Sequence, residues 1–143
     1  MDGPLIMGNE IINTPELGTP VGYAHAVAAA PGGRLVFLGG QTALRPDGTI
    51  AGTTLVEQFD VAAGNVVAAL RTAGGEPEDI VSMQIFATDP ADYKRRLPEL
   101  GKIWQKHFGR HYPASGLFGV TRLFDEEALV ELMAVAVVPE GRG

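Results

Sequence analysis

The chain has 143 residues and a formal net charge of −6 at pH 7, with apolar residues making up 45 % of it and charged residues 20 %. This composition predicts one globular domain long enough to bury a core, and the negative charge argues against a nucleic-acid partner held by bulk electrostatics. The sequence contains no cysteine, which excludes thiol catalysis, disulfides and thiolate metal sites.

The N-terminal residues have neither a positively charged stretch nor a sustained apolar one, so they do not resemble a targeting signal. No other run approaches membrane-spanning length without a charge. We therefore expect a cytoplasmic protein with no membrane partner. It should form a single domain over residues 1–143, with its core at about residues 23–138.

The first third of the chain predicts short strands joined by turns. Residues 10–13 are compatible with a short strand, and the Pro- and Gly-rich residues 14–22 predict a loop. Residues 23–30 and 35–39 are both β-compatible. Because Pro31, Gly32 and Gly33 separate these two runs, they predict a hairpin.

A first amphipathic helix is predicted between residues 54 and 73. Its apolar side chains recur at helical spacing, namely Leu55, Phe59, Ala62, Val66, Ala69 and Leu70. Thr53 or Thr54 is available as the N-cap, and Gly74 is placed to end the helix.

A strand at residues 80–87 and a second helix at residues 91–108 should follow. Pro98 lies inside this helix and should kink or restart it. The apolar face of the helix consists of Tyr93, Leu97, Leu100, Trp104 and Phe108.

Residues 128–138 predict the last strand, which is apolar on both faces because ten of these eleven residues are apolar. Glu131 is the exception. A carboxylate is not buried among apolar side chains unless it is paired, hydrogen-bonded or partly protonated, so Glu131 is either a site residue or a structural residue. In the structural alternative, backbone amides or an arginine such as Arg34 or Arg122 would satisfy it.

The predicted order is β-β-β-α-β-α-β-β, which favours an α+β domain with two helices covering one face of a mixed sheet. The other face would be too apolar for water because the last strand lacks polar alternation. We expect that face to be buried against other subunits.

Several stretches resemble the reactive-intermediate deaminase family, RidA or YjgF. Their order and spacing carry the resemblance over nearly the whole chain. They are Gly22-Tyr23-Ala24-His25-Ala26-Val27, Phe37-Leu38-Gly39-Gly40-Gln41, Ala73-Gly74-Gly75 with Asp79-Ile80-Val81, and Tyr112-Pro113-Ala114 followed by Leu129-Val130-Glu131.

The resemblance implies a fold similar to that of trimeric chorismate mutase, a homotrimer, and sites in clefts between subunits. It implies that Glu131 is the catalytic residue, because a glutamate at this position is thought to position the attacking water. It also places Tyr23, Gly39 and Gly40 in the substrate pocket. Read without it, Tyr23 is a packing residue and the two glycines form a bulge or turn.

The sequence departs from the family at Ser115, where the family's deaminases typically have an arginine that grips the substrate carboxylate. A serine should weaken the binding of simple 2-imino acids. Arg110, His111 or Arg122 remain candidates for a replacement cation, but the sequence does not give their direction. Ser115 and Leu117 are therefore substrate-binding candidates, and Leu117 indicates a more apolar pocket.

These observations lead to three hypotheses. The first is an enamine/imine hydrolase that releases ammonia from a small-molecule substrate other than a simple 2-imino acid. The second is a non-catalytic trimer that binds small metabolites in the same clefts. The third, a ribonuclease activity often attached to the family, is disfavoured by the acidic charge. We expect no metal, since the three histidines lack ligand spacing, and no cofactor, since an imine is already electrophilic.

Overall fold

The computed structural model describes residues 8–141. Within them lie six strands and three α-helices, which are β1 Glu10–Ile12, β2 Ala26–Ala28, β3 Arg34–Phe37, α1 Leu55–Thr72, β4 Ile80–Ala87, α2 Pro90–Arg95, α3 Leu97–Phe108, β5 Ala114–Gly119 and β6 Val130–Val138. A turn of 3₁₀ helix, Pro77–Asp79, precedes β4. None of the helices in this described part has the length and apolarity needed to cross a lipid bilayer.

Four strands form one mixed sheet in the order β3-β6-β4-β5. β6 is antiparallel to β3 and to β4, whereas β4 and β5 run parallel. β1 and β2 form a separate antiparallel pair. The predicted α+β class is confirmed, and β4 lies between β5 and β6, which matters for the site.

The first helix begins and ends close to the predicted residues. Thr54 Oγ1 accepts the N–H of Glu57 at 3.2 Å, and the Glu57 carboxylate accepts the N–H of Thr54 at 3.1 Å, which together form a capping box. Gly74 has a φ of +90°, a conformation that glycine adopts most readily. Its N–H donates to the carbonyl of Arg71 at 3.0 Å, so the helix ends here.

The second predicted helix is divided in two at Arg96, which caps both α2 and α3. Pro98 has no N–H to donate to the carbonyl of Lys94, and its ring would clash with that carbonyl in a continuous helix. A new helix therefore starts at Leu97, as the restart prediction required. The sheet is covered by three helices rather than two.

The predicted hairpin between β2 and β3 is wrong. Gly33 does form a turn, since its N–H donates to the carbonyl of Ala30 at 3.1 Å. However, β2 pairs with β1, and β3 pairs with β6. A Cβ atom placed on Gly33 would lie 2.4 Å from Val137 Cγ1, so the chain packs tightly on β6 at this point. The nine-residue β6 can form backbone hydrogen bonds along the full length of β3, whereas the three-residue β2 cannot.

One face of the sheet carries the core, and the other is left uncovered by the helices. The core includes Val36, Met83, Ile85, Leu132, Ala134 and Ala136 packed on Phe59, Val66, Leu70, Leu100 and Trp104. The opposite face, here called the open face, presents Leu35, Phe37, Phe86, Phe118, Glu131 and Met133. Phe37 is 74 % exposed and Leu35 is 59 % exposed. Such a contiguous apolar surface is typical of an interface with another protein.

Candidate functional site

Glu131 lies on the open face, directly opposite Phe86 of β4. The ring of Phe86 stacks on Phe118 of β5, with the ring centroids 5.7 Å apart. The Glu131 side chain is half-buried, and its carboxylate makes no hydrogen bond or ion pair within residues 8–141. It therefore keeps its full capacity to accept hydrogen bonds from a water or a ligand.

A β-bulge at Gly39 and Gly40 brings the backbone against Glu131. Phe37 pairs with Val135, and Gln41 exchanges two hydrogen bonds of 2.8 Å with Leu132. The two glycines together thus oppose the single residue Met133. A bulge or turn at these two glycines is the alternative that the sequence leaves open to a role in the substrate pocket.

Gly40 contacts the carboxylate closely, whereas Gly39 does not. A Cβ atom placed on Gly40 would lie 2.9 Å from Glu131 Cδ and 3.1 Å from Oε1, whereas one placed on Gly39 would meet nothing within 4 Å. Neither glycine has a positive φ, so their backbones would tolerate other residues. The position of the Glu131 side chain therefore requires a glycine at residue 40 but not at residue 39.

The two arginines offered as structural partners of Glu131 bind elsewhere. The Arg34 guanidinium donates to the carbonyl of Ala73, next to the end of α1. The Arg122 guanidinium donates to the carbonyls of Leu123 and Phe124 at 3.2 Å each. Neither of these two arginines pairs with Glu131 within the described chain.

Ser115 and Leu117 lie on the opposite face of the sheet from Glu131. In the parallel ladder Ser115 is in register with Met83 and Leu117 with Ile85, both of which point into the core under the helices. Ser115 Oγ donates to the carbonyl of Pro113 at 2.9 Å. Leu117 is exposed at the edge of the sheet.

The structure therefore separates the predicted site residues into two groups. Glu131, Gly39 and Gly40 lie together at the β3–β6 side of the sheet. Ser115 and Tyr23 lie at the β5 edge, because Ala24 bridges Ala114 next to Ser115. With β4 between β5 and β6, the groups are about two strand spacings, or ~10 Å, apart across the sheet, and Ser115 and Glu131 are offset by three residues of β4, or another ~10 Å, along it.

Tyr23 lines a cavity with a volume of about 640 Å³. This volume is in the usual range for small-molecule sites. The lining residues are Ile11, Asn13, Pro20, Val21, Gly22, Tyr23, Ala24, Leu97, Gly101, Gln105, Arg110 and Tyr112. The sequence prediction of Tyr23 as a substrate-pocket residue remains a proposal, and Tyr23 is one of the residues that line this cavity.

Sequence reasoning missed the wall that α3 contributes to this cavity. Leu97 was predicted to lie on the apolar face of the second helix, yet it is exposed and lines the cavity with Gly101 and Gln105. These three residues follow one another at i, i+4 and i+8, so they share one helix face. This face combines a leucine with a glycine and a glutamine, and that mixed composition is the signal that could have identified the cavity wall.

The loop that carries Tyr23 is held by His25. The N–H of Thr14 donates to His25 Nδ1 at 3.1 Å, and His25 Nε2 lies 2.8 Å from the carbonyl of Gly18. Because an N–H group only donates, Nδ1 accepts and Nε2 carries the ring hydrogen. His25 N–H also donates to Asn13 Oδ1 at 2.8 Å. These bonds hold the ends of residues 14–22 together beside the cavity and account for His25 structurally.

His107 and Asp60 form a second polar cluster, between α1 and α3. His107 Nε2 lies 2.6 Å from Asp60 Oδ1, and Lys106 Nζ lies 3.0 Å from the same oxygen. The hydrogen bond with His107 and the neighbouring Lys106 hold the pKa of Asp60 below its ordinary value. In the part of the chain described here, no group of three or more His, Asp or Glu side chains is placed to hold a metal ion.

The comparisons with known proteins agree with this fold. The family model of endoribonuclease L-PSP matches residues 14–138. A RutC family protein of Pyrococcus abyssi is 28 % identical over 132 residues, which cover 91 % of this chain and 98 % of that protein. The mitochondrial protein mmf2 of Schizosaccharomyces pombe is 35 % identical over 95 residues, which cover 62 % of this chain and 72 % of that protein.

Solved structures give the same result. The Rid-family protein YyfB from Yersinia pestis superposes with a TM-score of 0.80 and 28 % identity, covering 92 % of this chain and 100 % of that one. A YjgF/YER057c/UK114 family member from Mycobacterium tuberculosis has a TM-score of 0.61 at 28 % identity, with the same coverage of 92 % and 100 %. The resemblance found in the sequence is confirmed: the chain belongs to the endoribonuclease L-PSP family, which includes the YjgF and Rid proteins.

Proposed function

We propose that this protein is an enamine/imine deaminase in which Glu131 positions the attacking water. The observation that carries the proposal is the state of the Glu131 carboxylate. It is half-buried on an apolar face, it makes no hydrogen bond or ion pair within residues 8–141, and it lies against the Gly40 backbone. A carboxylate kept free in such surroundings is suited to bind and deprotonate a water.

The reaction needs only water and proton transfers. The water oxygen attacks the carbon of the C=N bond while its proton passes to Glu131, and the electron pair of the π bond goes to nitrogen, which is protonated. The resulting carbinolamine then loses ammonia as its C–N bond breaks, and the carbonyl forms as the hydroxyl proton leaves. No cofactor takes part, since the imine carbon is already electrophilic.

A homotrimer is part of this proposal because one chain does not bring its two groups of site residues together. Ser115 and Glu131 lie on opposite faces of the sheet, on strands separated by β4. A neighbouring copy packed on the open face would cover Leu35 and Phe37, which are now exposed. The same packing would bring the Tyr23 cavity of one copy to Glu131 of the next.

The mass in solution tests the trimer. Light scattering at micromolar concentration should give about three times the chain mass of 15.1 kDa. Phe37→Asp places a charge on the open face and should yield a smaller species that remains folded, whereas Phe124→Asp, at an exposed residue outside the sheet, serves as control. A wild-type monomer would contradict the proposed assembly.

The substrate is proposed to differ from small 2-imino acids, since Ser115 stands where an arginine would hold a carboxylate. The Ser115 hydroxyl is already engaged with the carbonyl of Pro113 at 2.9 Å. The absence of that arginine also favours the second candidate, a non-catalytic trimer that binds small metabolites. We place either protein in the cytoplasm.

Replacement of Glu131 by Gln separates the two candidates. Glu131→Gln keeps the size of the side chain but removes its basicity, so hydrolysis of enamines and imines generated in situ should fall by ~100-fold or more. Glu126→Gln, in the exposed loop before β6, is the matched control and should keep wild-type activity. If Glu131→Gln folds and turns over substrate at the wild-type rate, Glu131 is not the base and the deaminase proposal fails.

A further inference from the structure

The sequence offered three replacement cations for the arginine absent at Ser115, and the structure separates them. Arg122 is bound to the carbonyls of Leu123 and Phe124. The ring of His111 is bound at Nε2 to the carbonyl of Ile80 at 2.7 Å and lines a different cavity, beside Asn9 and Asp79. Neither cation is directed into the Tyr23 cavity.

Arg110 is the single charged residue among the residues that line the Tyr23 cavity. Its guanidinium makes no hydrogen bond or ion pair within residues 8–141, so its five donors are available to a ligand. In a cavity with otherwise neutral walls, an available guanidinium favours an anionic ligand group and can hold a carboxylate through two parallel hydrogen bonds.

The backbone that follows Arg110 is fixed by hydrogen bonds at two residues. Trp104 Nε1 donates to the carbonyl of His111 at 2.9 Å, and the His111 ring is itself anchored on β4. Farther on, Ala24 N–H donates to the carbonyl of Pro113 at 3.0 Å, which ties this loop to the segment that carries Tyr23. A cation on a fixed loop loses less conformational freedom on binding, and this improves its value as an anchor.

The rest of the cavity is mostly apolar. Ile11, Val21 and Leu97 contribute aliphatic side chains, and Tyr23 and Tyr112 contribute rings. These walls would bury the hydrocarbon part of a ligand and leave its charged end for Arg110.

We propose that the Tyr23 cavity binds an organic monocarboxylate with an apolar body, and that Arg110 holds the carboxylate. This deepens the proposed function, on which it rests, by naming the substrate class. Arg110 precedes Ser115 by five residues and lies on the loop before β5. The carboxylate is therefore held away from the Ser115 position, and the ligand extends through the cavity from Arg110.

Binding of 4-phenylbutanoate to the assembled protein, measured by calorimetry, tests the proposal. Arg110→Ala should weaken binding at least tenfold, and Arg110→Lys should retain part of the affinity because it keeps the charge. Lys94→Ala removes one exposed cation on α2, outside the residues that line the cavity, and should bind like wild type. The neutral 4-phenylbutanamide and the short acetate should both bind more weakly to wild type.

Equal affinity of wild type and Arg110→Ala for 4-phenylbutanoate would overturn the proposal, as would equal affinity of wild type for the acid and its amide. Failure of the deaminase proposal looks different. In that case Glu131→Gln and wild type are equally inactive while binding still depends on Arg110. If instead the protein hydrolyses imines and Arg110→Ala leaves KM unchanged, the deaminase stands and the Arg110 anchor fails.

Discussion

The contact between Gly40 and Glu131 allows the carboxylate to be displaced without removing it. In Gly40→Ala the new Cβ atom would lie 2.9 Å from Glu131 Cδ, whereas ordinary contacts begin at 3.4 Å, so the carboxyl group has to move by about 0.5 Å. A 1 Å misplacement of a reacting group can cost ~100-fold in rate, so we expect a loss of about tenfold for this smaller shift.

Gly39→Ala is the matched control because it makes the same chemical change one residue earlier. The added methyl group meets nothing within 4 Å, and both glycines have backbone angles that alanine adopts. Since the Glu131 side chain is flexible enough to yield, both variants should unfold within about 1 kcal/mol of wild type.

The assay compares initial rates of ammonia release from the imine or enamine that wild type hydrolyses fastest, generated in situ. Urea unfolding and light scattering on the same samples check that both variants are folded and equally assembled. Activity of Gly40→Ala within twofold of Gly39→Ala would show that the position of the Glu131 carboxylate does not matter. Glu131 would then not be the group that positions the water.

Two further predictions concern the other residues. Ser115→Arg should raise hydrolysis of small 2-imino acids about tenfold, equivalent to ~1.4 kcal/mol of transition-state binding. This gain in rate should vanish when Glu131→Gln is added. A folded, assembled Ser115→Arg variant with no gain would favour the non-catalytic candidate. The lowered pKa of Asp60 means that its hydrogen bonds with His107 and Lys106 stabilise the fold above its ordinary pKa of 3.8, and that this stabilisation is lost as the pH falls below that value. Asp60→Asn should therefore lower the free energy of unfolding at neutral pH, by a difference that shrinks in acid; urea titrations that show the same difference well below pH 3.8 would contradict it.

Local features of the sequence were sufficient to predict several elements. Thr54 and Gly74 delimit α1 because a side-chain cap and a left-handed glycine act over a single turn of backbone. Pro98 divides the second helix through its own missing N–H and its ring. The bounds of β4 also agree with the prediction, since residues 80–87 form one uninterrupted β-compatible run.

Strand pairing and the composition of the site depended on contacts between distant residues. A strand's sequence shows which side chains alternate, but it does not show which neighbour completes its hydrogen bonds, so β3 was assigned to β2 rather than to β6. Register with β4 then placed Ser115 on the helix face and Glu131 on the open face. The position of Arg110 at the wall of the Tyr23 cavity likewise follows from a loop fixed by Trp104 and His111. Residue types and their spacing thus identified the fold family and singled out Glu131 as a candidate, whereas the faces, the neighbours and the cavity arose from packing between segments far apart in the chain.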